Sequence, residues 1–495
     1  MTVRYLKEDT SWLYREATGS ERIIELLWGD RLDMVETGQA GARDQVRARG
    51  RSGYVDRVDI GDQSLLEVYF IDVGQGDGVL IRTPDDRHLM IDGGFKRASQ
   101  PSGKNAADFV DWKFVRDYGG ESIHLDAMIA THNDADHYGG LSDLLDAAQN
   151  TQLEAKAVTV DAFYHAGVGW WKDGAGGRWL GQTTPDRQHL LQLMGDRNDV
   201  LQSLQEGAAR QLQGEWARMM GKVAETKGRT GAHTTIERIS HLDAHVPGFS
   251  PREDGGLAIR ILAPVAFEVD GQPALHHFGS TDSQNTNGNS VLLRLDYGRA
   301  RILLTGDLNR LSQRALLDDY AGEHGEFACD VAKACHHGSD DISYGFLEAM
   351  RPAVSIISSG DTERHDHPRP SIVAASAVTG HVEIDGDRLV TPLVYSTELS
   401  RSHDLGRVLE LRLDDGETRT VLQGEQLRGA QVKARVASPG AVAATTVTRN
   451  LGGVYIVTGM TYGLVNVRTD GRKIVCATLN EGQKTWQTKV VQARF

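Results

Sequence analysis

The sequence predicts an α/β fold with small β modules at both ends. Between residues 67 and 424, apolar runs such as LEVYFIDVGQGDGVLI, LDAMIATH and RARILLTGD have the length and composition of buried strands. Helical segments such as NRLSQRALLDDYAG separate these runs. An alternation of strands and helices is typical of layered α/β domains, in which helices cover the faces of a sheet.

Length, composition and charge narrow the class of protein. The chain has 495 residues, of which 40% are hydrophobic and 25% charged, so we expect a globular protein of several domains. Its formal net charge of -14 argues against a protein that coats nucleic acid over its whole surface. No segment approaches the roughly 20 apolar residues of a membrane span, and the N-terminus lacks a signal-peptide core. We therefore expect a cytoplasmic protein with no membrane partner.

The first 66 residues form an N-terminal extension of short strands. Residues 21–62 are broken into short apolar runs by Gly-Asp and Gly-Arg turns. The stretch GRSGYVDR resembles the glycine, aromatic and valine ending of a bacterial SH3-like barrel. The alternative is a β-rich extension without a ligand.

A helical insertion is expected at about residues 166–255, where the alternation of strands and helices is interrupted. Thr184 and Pro185 have the sequence of a helix start. Apolar residues then recur at steps of three and four, at Leu201, Leu204, Ala208, Leu212, Trp216 and Met219. We predict a cap that controls substrate access and provides no metal ligand.

The C-terminal part is predicted to be a linker, residues 425–446, followed by a basic β module, residues 447–495. Residues 425–495 carry ten Lys or Arg and three acids, a formal charge of +7, which leaves -21 to the rest of the chain. Such a module could hold nucleic acid, dock as an inhibitory lid on the acidic body, or have no bearing on catalysis. We favour the inhibitory lid, because the linker contains Arg428, Lys433 and Arg435, where a protease could cut or a regulatory protein could act to release the module.

The stretch THNDADHYGG places four metal-ligand side chains within six residues. His132, Asp134, Asp136 and His137 directly follow an apolar strand, where α/β proteins usually build their sites. The three cysteines, Cys329, Cys335 and Cys476, form no CxxC pair and predict neither disulfides nor a thiolate zinc site. A metal in this protein must therefore use histidine and carboxylate ligands.

Several motifs in the same order resemble those of the metallo-β-lactamase fold superfamily. H-x-D-x-D-H after a strand, FIDVGQGDGVLI with MIDGG, NSVLLRL with ILLTGD, KACHHGS and HDHPRP are similar to the hydrolase branch of competence DNA-uptake (ComEC-like) proteins. The resemblance covers roughly residues 67–400 outside the insertion. It implies a four-layer αββα sandwich over residues 67–424 that holds one or two metals at one edge.

The resemblance also implies roles for individual residues. Asp307 would bridge two divalent metals, and His336 or His337 would complete the site. Asn289 and Ser290 stand where many members of the superfamily carry a histidine, and Asp134 replaces a second common histidine. Harder oxygen ligands shift the metal preference from zinc towards manganese, with magnesium as a third option.

The expected reaction is hydrolysis of a phosphodiester, most simply of nucleic acid. Two cations activate water and stabilise charge on the attacking and leaving oxygens. Lys333 and His367, the latter flanked by Arg364 and Arg369, are expected near the mouth of the site, where they offer cationic or proton-donating groups that suit a phosphoester. With Asn289 they are the candidate catalytic residues. The alternatives are a small-molecule phosphoesterase and a non-catalytic binding or sensor protein on a metal-bearing scaffold.

Overall fold

The computed structural model describes most of the chain. Its described residues are 2–36, 41–99, 105–146, 149–253, 255–360, 367–397, 404–414, 418–427, 429–436, 445–450, 455–458, 463–480 and 483–495. None of the helices in these ranges combines the length and apolarity that crossing a bilayer requires.

The N-terminal residues fold into a seven-stranded antiparallel sheet with a small core of its own. Leu13, Leu26, Val46 and Val55 are fully buried in that core. The region is all β, as the turn-rich sequence predicts. Its strands are Val3–Leu6, Thr10–Tyr14, Arg22–Leu27, Arg31–Glu36, Arg43–Ala48, Arg51–Asp56 and Ile60–Gly61.

Two sheets form the centre of the molecule. The larger has nine strands, which lie across the sheet in the order Thr235–Arg238, Val158–His165, Ile123–Ala130, His88–Ile91, Val79–Arg82, Leu66–Phe70, Val465–Thr469, Lys473–Asn480 and Thr485–Gln492. The smaller has six strands, in the order Ala258–Ala263, Leu292–Tyr297, Ala300–Leu304, Val331–Lys333, Val354–Ile357 and Leu393–Ser396.

Three apolar cores define four layers. One core lies between the sheets and contains Phe70 and Ile129 of the larger sheet with Leu293 of the smaller. A second core packs helices on the outer face of the larger sheet, and a third packs helices on the outer face of the smaller. The order helix, sheet, sheet, helix is the predicted αββα sandwich. Its helices are Ala106–Asp111, Ala135–Leu145, Arg197–Ser203, Gly214–Glu225, Asp282–Gly288, Arg310–Asp319, Tyr344–Met350 and Pro370–Thr379.

Short elements complete the described structure. A π-helical turn, Trp112–Asp117, continues the first helix, and Gly424–Leu427 is a single helical turn. The three-stranded sheet consists of His189–Leu190, Gln272–His276 and Ala266–Val269. Hairpins or strand pairs join Trp171–Lys172 to Arg178–Trp179, Glu383–Asp385 to Arg388–Thr391, Asp404–Arg407 to Tyr455–Thr458, Glu410–Asp414 to Arg419–Gln423, and Gln431–Val436 to Thr445–Asn450.

The insertion is less helical than predicted. Thr184 begins a turn, because its hydroxyl accepts hydrogen bonds from the backbone amides of Gln188 and His189 and so competes with a helix. The predicted series of apolar residues at helical spacing is also interrupted, because Gly207 and Gly214 adopt positive φ angles of 77° and 72°. Only the part from Trp216 to Met219 lies on one helix, and both of these side chains are buried there.

The C-terminal strands correct the predicted basic module. Val465–Thr469 pairs antiparallel with Leu66–Phe70, and the two following strands extend the same sheet. Val467 and Ile474 are fully buried in the core between the sheets. Gln431–Val436, within the predicted linker, is a strand. Residues 465–492 are thus an integral part of the sandwich, and cleavage after Arg435 would separate three strands from the sheet instead of releasing a lid.

Candidate metal centre

The THNDADHYGG motif lies at the carboxyl end of a central strand. Strand Ile123–Ala130 runs parallel to both its neighbours, and helix Ala135–Leu145 begins directly after the motif loop. The start of this helix is pressed against the preceding loop, because a Cβ atom at Gly140 would lie 2.0 Å from the carbonyl oxygen of Gly93. Glycine is therefore required at position 140. The close contact between the helix and the loop also brings Asp92 next to His137.

The smaller sheet supplies the other half of the centre at the same edge. Asp307 follows strand Ala300–Leu304, and Lys333 ends the adjacent parallel strand. His336 and His337 come next, with positive φ angles of 47° and 53°. This sharp backbone turn directs two consecutive histidines towards the same carboxylate.

Three imidazoles converge on Asp307. The Oδ2 atom of Asp307 lies 3.2 Å from Nε2 of His137, 2.9 Å from Nε2 of His337 and 3.9 Å from Nε2 of His336. The Oδ2 atom of Asp136 is 3.6 Å from Nε2 of His337. Both His336 and His337 therefore reach the carboxylate, with His337 closer and fully buried.

The opposite ring nitrogens are held by the protein. Nδ1 of His137 is 2.7 Å from Oδ2 of Asp92, and Nδ1 of His337 is 3.1 Å from the carbonyl oxygen of Ser358. Nδ1 of His132 is 3.2 Å from Oγ of Ser290. This arrangement fixes each ring and leaves Nε2 facing the centre, as second-shell partners do for metal-binding histidines.

The buried Nε2 atoms provide the test of whether a metal fits. Nε2 of His132, His137 and His337 is buried and makes no hydrogen bond with any described residue, although Nε2 of His137 and of His337 lies close to Oδ2 of Asp307. A buried nitrogen without a hydrogen bond is costly unless something coordinates it. Histidine nitrogen with aspartate oxygen is a normal donor set for divalent transition metals. The residues present therefore fit a divalent metal centre.

Burial and close charges shift the pKa values of the residues in the centre. Burial, together with the charge of Asp136, raises the pKa of Asp134 to about 7. Burial also raises the pKa of Asp307, but His337 and His137 lower it further, to well below its ordinary value. Burial lowers the pKa of His137 and His337, but Asp307, together with Asp92 at His137 and Asp77 at His337, outweighs burial and holds both pKa values well above the ordinary range. A divalent cation would stabilise the same carboxylates.

Asp134 and His132 form the other side of the centre. Oδ2 of Asp134 lies 3.8 Å from Nε2 of His132, and the rings of His132 and His137 have centroids 4.0 Å apart. The hydroxyl of Thr286 donates a 3.1 Å hydrogen bond to Asp134. All seven predicted metal ligands thus lie in one connected group at this edge of the sandwich.

Lys333 lies behind the centre, whereas the sequence suggests a position at its mouth. It is 1% exposed, because it is the last residue of a buried strand. Its ammonium group forms an ion pair with Asp77, lies 3.5 Å from Oδ1 of Asp307 and donates to the carbonyl oxygen of Gly306. Lys333 therefore holds carboxylates in place and does not face solvent.

Asn289 also has a different position from the one expected. Its amide donates 3.0 Å hydrogen bonds to the carbonyl oxygens of His276 and Asn285, at the end of helix Asp282–Gly288. One bond caps the helix at Asn285, the other joins it to the strand that ends at His276, and together they engage both amide hydrogens. Asn287 is the neighbour that approaches the centre, 3.4 Å from Nε2 of His336.

His367 is close to the centre, as predicted. Its ring centroid lies 5.9 Å from that of His336 and 6.5 Å from that of His337. Arg369 is buried next to it at 3% exposure, and Arg364 lies outside the described residues. His367 is thus the one predicted catalytic residue that the structure puts beside the mouth.

Asp77 and Asp92 are the residues that sequence reasoning missed. Asp77 lies 3.2 Å from Nδ1 of His337 and 3.9 Å from Nδ1 of His137, on the side of the rings that faces away from Asp307. We therefore place it behind the imidazoles with Asp92. Both residues are aspartates beside glycines at strand ends, in GQGDG and MIDGG, and that shared pattern is a signal that could have identified them.

Comparisons with known proteins agree with this geometry. The sequence profile of the metallo-beta-lactamase superfamily matches residues 71–354. Competence protein ComA of Neisseria gonorrhoeae is 36% identical over 87 residues, 17% of this chain and 12% of that protein. ComE operon protein 3 of Bacillus subtilis (strain 168) is 22% identical over 316 residues, 62% of this chain and 30% of that protein. The chain therefore spans less than a third of the length of either relative. The comparisons do not confirm the SH3-like resemblance of the N-terminal region.

Solved structures with a similar fold include two hydrolases. Tm1679, a metal-dependent hydrolase of the beta-lactamase superfamily, is 12% identical with a TM-score of 0.31, over 67% of this chain and 95% of that one. A diphosphatase from the PhnP family is 10% identical with a TM-score of 0.28, over 67% and 94%. The superfamily profile alone covers more than half of the sequence. This chain belongs to the metallo-β-lactamase superfamily.

Proposed function

We propose that this protein is a metal-dependent phosphodiesterase that cleaves nucleic acid with two divalent cations. The observation that carries the proposal is the position of Asp307, whose Oδ2 atom lies within 3.9 Å of Nε2 of three histidines. A carboxylate surrounded in this way can serve two cations at once, since each of its oxygens has lone pairs to share. Zinc or manganese suits this mixed set of nitrogen and oxygen donors.

The other donor groups form two neighbouring pairs. His132 lies 3.8 Å from Asp134, and His337 lies 3.6 Å from Asp136. His137 and His336 complete the donors that approach Asp307 itself. When bound, two cations would activate water and stabilise charge on the attacking and leaving oxygens of a phosphodiester.

The protein's own groups would position these donors and supply a proton. Asp92 and Ser358 fix the rings of His137 and His337, and buried Lys333 holds Asp77 and Asp307. His367 stands beside His336, whose side chain is 27% exposed at the mouth. An imidazole can carry and transfer a proton, so the position of His367 is suited to protonation of a leaving alkoxide oxygen.

Two further features support a nucleic-acid substrate. The chain matches two competence proteins, and its motifs resemble the hydrolase branch of competence DNA-uptake proteins. The insertion reaches the motif loop, because Nε1 of Trp170 donates a 3.0 Å hydrogen bond to the carbonyl oxygen of Asn133. A segment in that position can control which substrates enter.

A substrate panel tests the proposal. Plasmid DNA, single-stranded DNA and bis-p-nitrophenyl phosphate would be incubated with protein loaded with Mn²⁺, Mg²⁺ or Zn²⁺. We expect cleavage of DNA, with Asp307→Asn as the inactive control of nearly unchanged volume. Cleavage of bis-p-nitrophenyl phosphate without any DNA cleavage would favour a small phosphoester substrate. No turnover by fully metal-loaded protein would contradict the proposal and favour a sensor.

A further inference from the structure

A second cavity lies away from the metal centre, where three parts of the molecule meet. It has a volume of 420 Å³ and lies between the N-terminal sheet, helix Ala106–Asp111 with the turn that follows it, and the last strands of the larger sheet. No residue of the metal centre lines it. Small-molecule sites usually have volumes of about 300 to 1,000 Å³, so this cavity can hold a mononucleotide-sized ligand.

Aromatic rings form part of the cavity wall. Phe109 and Trp112 have ring centroids 6.1 Å apart and planes inclined by 30°. Trp486 is 8% exposed, and its indole Nε1 donates a 3.1 Å hydrogen bond to the carbonyl oxygen of Glu25. Such fixed aromatic faces can stack a planar ring with little loss of conformational freedom.

Cations line the same cavity, and no acidic residue is among its described lining residues. Arg49, Arg51 and Lys484 contribute to the lining, and the guanidinium of Arg49 lies 4.6 Å from the ring centroid of Trp486. Nη1 of Arg49 is buried and has no hydrogen-bond partner among the described residues. A buried guanidinium N–H without an acceptor is best satisfied by an anion, and phosphate matches its geometry.

The backbone around the cavity has unusual conformations. Arg49 and Lys484 both adopt the left-handed region, with φ angles of 49° and 57°. Trp112 begins the π-helical turn Trp112–Asp117. The π-helical turn is an uncommon conformation that is often found at functional sites, whereas Arg49 and Lys484 lie in the turns of two hairpins, where positive φ angles are usual. The hairpin that carries Arg49 is fixed against this turn, since Nη1 of Arg47 donates a 2.8 Å hydrogen bond to the carbonyl oxygen of Asp117.

We propose that this aromatic–basic cavity, lined by Arg49, Arg51, Phe109, Trp112, Lys484 and Trp486, binds a nucleotide unit. The base stacks on the aromatic rings, and the phosphate accepts hydrogen bonds from Arg49 and Arg51. The ligand is either a free nucleoside monophosphate or one nucleotide of a single strand, because both present the same base and phosphate. Binding here requires no hydrolysis and does not depend on the function proposed for the metal centre.

Calorimetric titration of the full chain with AMP tests the cavity, with adenosine and inorganic phosphate as partial ligands. We expect AMP to bind more tightly than either partial ligand. Arg49→Ala combined with Arg51→Ala should weaken binding at least about tenfold, through the loss of two charge-assisted contacts. Arg51→Ala alone, at an exposed position that does not endanger folding, should weaken it less.

Two control variants locate the binding. Arg15→Ala removes an exposed arginine of the same sheet that pairs with Glu21 outside the cavity, and it should bind AMP as the wild type does. Asp307→Ala should also retain binding, which separates the cavity from the metal centre.

A tetranucleotide with uncleavable phosphorothioate links distinguishes the two sources of the ligand. If the tetranucleotide binds, AMP does not and the arginine variants weaken binding, then a unit of a strand is the ligand. If AMP binds and the tetranucleotide does not, the ligand is a free nucleotide. The proposal is overturned if neither binds, if the arginine variants bind as the wild type does, or if inorganic phosphate binds as tightly as AMP.

Discussion

The metal centre and a second group of charges, Asp30, Glu67, Arg82 and Arg468, are both buried, but they differ in how their polar atoms are paired. This second group, here termed the arginine cluster, connects the N-terminal sheet to the larger sheet of the sandwich. Each of its four residues is 4% exposed or less. It therefore offers an internal comparison for the metal centre at similar burial.

The arginines of the arginine cluster find acceptors in several directions. Arg82 donates from Nη1 to Glu67 at 2.9 Å, from Nε to Asp86 at 2.8 Å and from Nη2 to the hydroxyl of Tyr5 at 3.1 Å. Arg468 lies 2.8 Å from Asp30 and donates to the carbonyl oxygen of Trp28 at 2.6 Å. Charges paired in this way hold the two sheets together and leave nothing to bind a ligand.

The metal centre differs because its rings are satisfied on one side only. Nδ1 of His137 and of His337 is hydrogen-bonded, whereas Nε2 of His132, His137 and His337 makes no hydrogen bond with the described residues and lies only near aspartate oxygens. Buried charge alone therefore does not mark a functional site. Buried nitrogen atoms that make no hydrogen bond, and that converge on shared carboxylates, do mark one.

The largest expected effect is on activity at the metal centre. Asp307→Ala removes the carboxylate that three imidazoles approach, so hydrolysis should fall on the order of 100-fold or more. The fold should survive, because three separate apolar cores remain intact. Hydrolysis rates and circular dichroism on the same sample measure both. Activity near that of the wild type would remove Asp307 from the site.

The next effect is on stability at the arginine cluster. Arg468→Ala leaves Asp30 buried without its cation, while Glu67 keeps Arg82, and should lower the free energy of unfolding by roughly 3 to 5 kcal/mol. Metal content should not change. Arg472→Ala, at an exposed position four residues later, is the matched control and should change stability by less than about 0.5 kcal/mol. Equal effects of the two variants in urea denaturation would contradict this role.

Acid should weaken the arginine cluster in a defined pH range. Burial raises the pKa of Glu67, but Arg468, Arg82 and Lys113 lower it more, to about 2 from an ordinary value of 4.5. A depressed folded-state pKa adds stability above the unfolded value. That stability, about 3 kcal/mol, is lost as the pH falls from about 4.5 towards 2. Urea denaturation from pH 6 to pH 3 measures the slope, and Glu67→Gln should flatten it. An unchanged slope in this variant would assign the effect to other groups.

The smallest expected effect is at Asn289. Asn289→Ala removes one hydrogen bond that caps helix Asp282–Gly288 and one that joins it to the strand ending at His276, and should lower the free energy of unfolding by about 1 to 2 kcal/mol. The hydrolysis rate should change little, whereas Asn287→Ala, next to His336, should reduce it more. If Asn289→Ala reduced the rate more than Asn287→Ala, Asn289 would be a catalytic residue after all.

Features that are local in the chain could be predicted from the sequence. The four ligand-type side chains of THNDADHYGG fall within one turn after a strand, so their clustering does not depend on the rest of the fold. The apolar strands and the helices between them likewise predicted a layered α/β domain, and the resemblance carried by the order of motifs implied the αββα sandwich. Asp307, His336 and His337 followed from the resemblance.

Features that depend on distant pairing could not be predicted. Val465–Thr469 pairs with Leu66–Phe70, about 400 residues away, and no local pattern encodes that partner. The formal charge of residues 425–495 does not show that Arg468 is buried against Asp30. Lys333 was misplaced for the same reason, because its partner Asp77 comes from a different sheet.

The most direct test of the central claim is the metal content of three proteins after loading and gel filtration. Mass spectrometry would compare the wild type with His337→Ala and with Glu67→Gln, which alter the metal centre and the arginine cluster respectively. We expect about two divalent metals per chain in the wild type and in Glu67→Gln, and fewer in His337→Ala. A wild type without metal, or a His337→Ala variant with the same content as the wild type, would contradict the central claim.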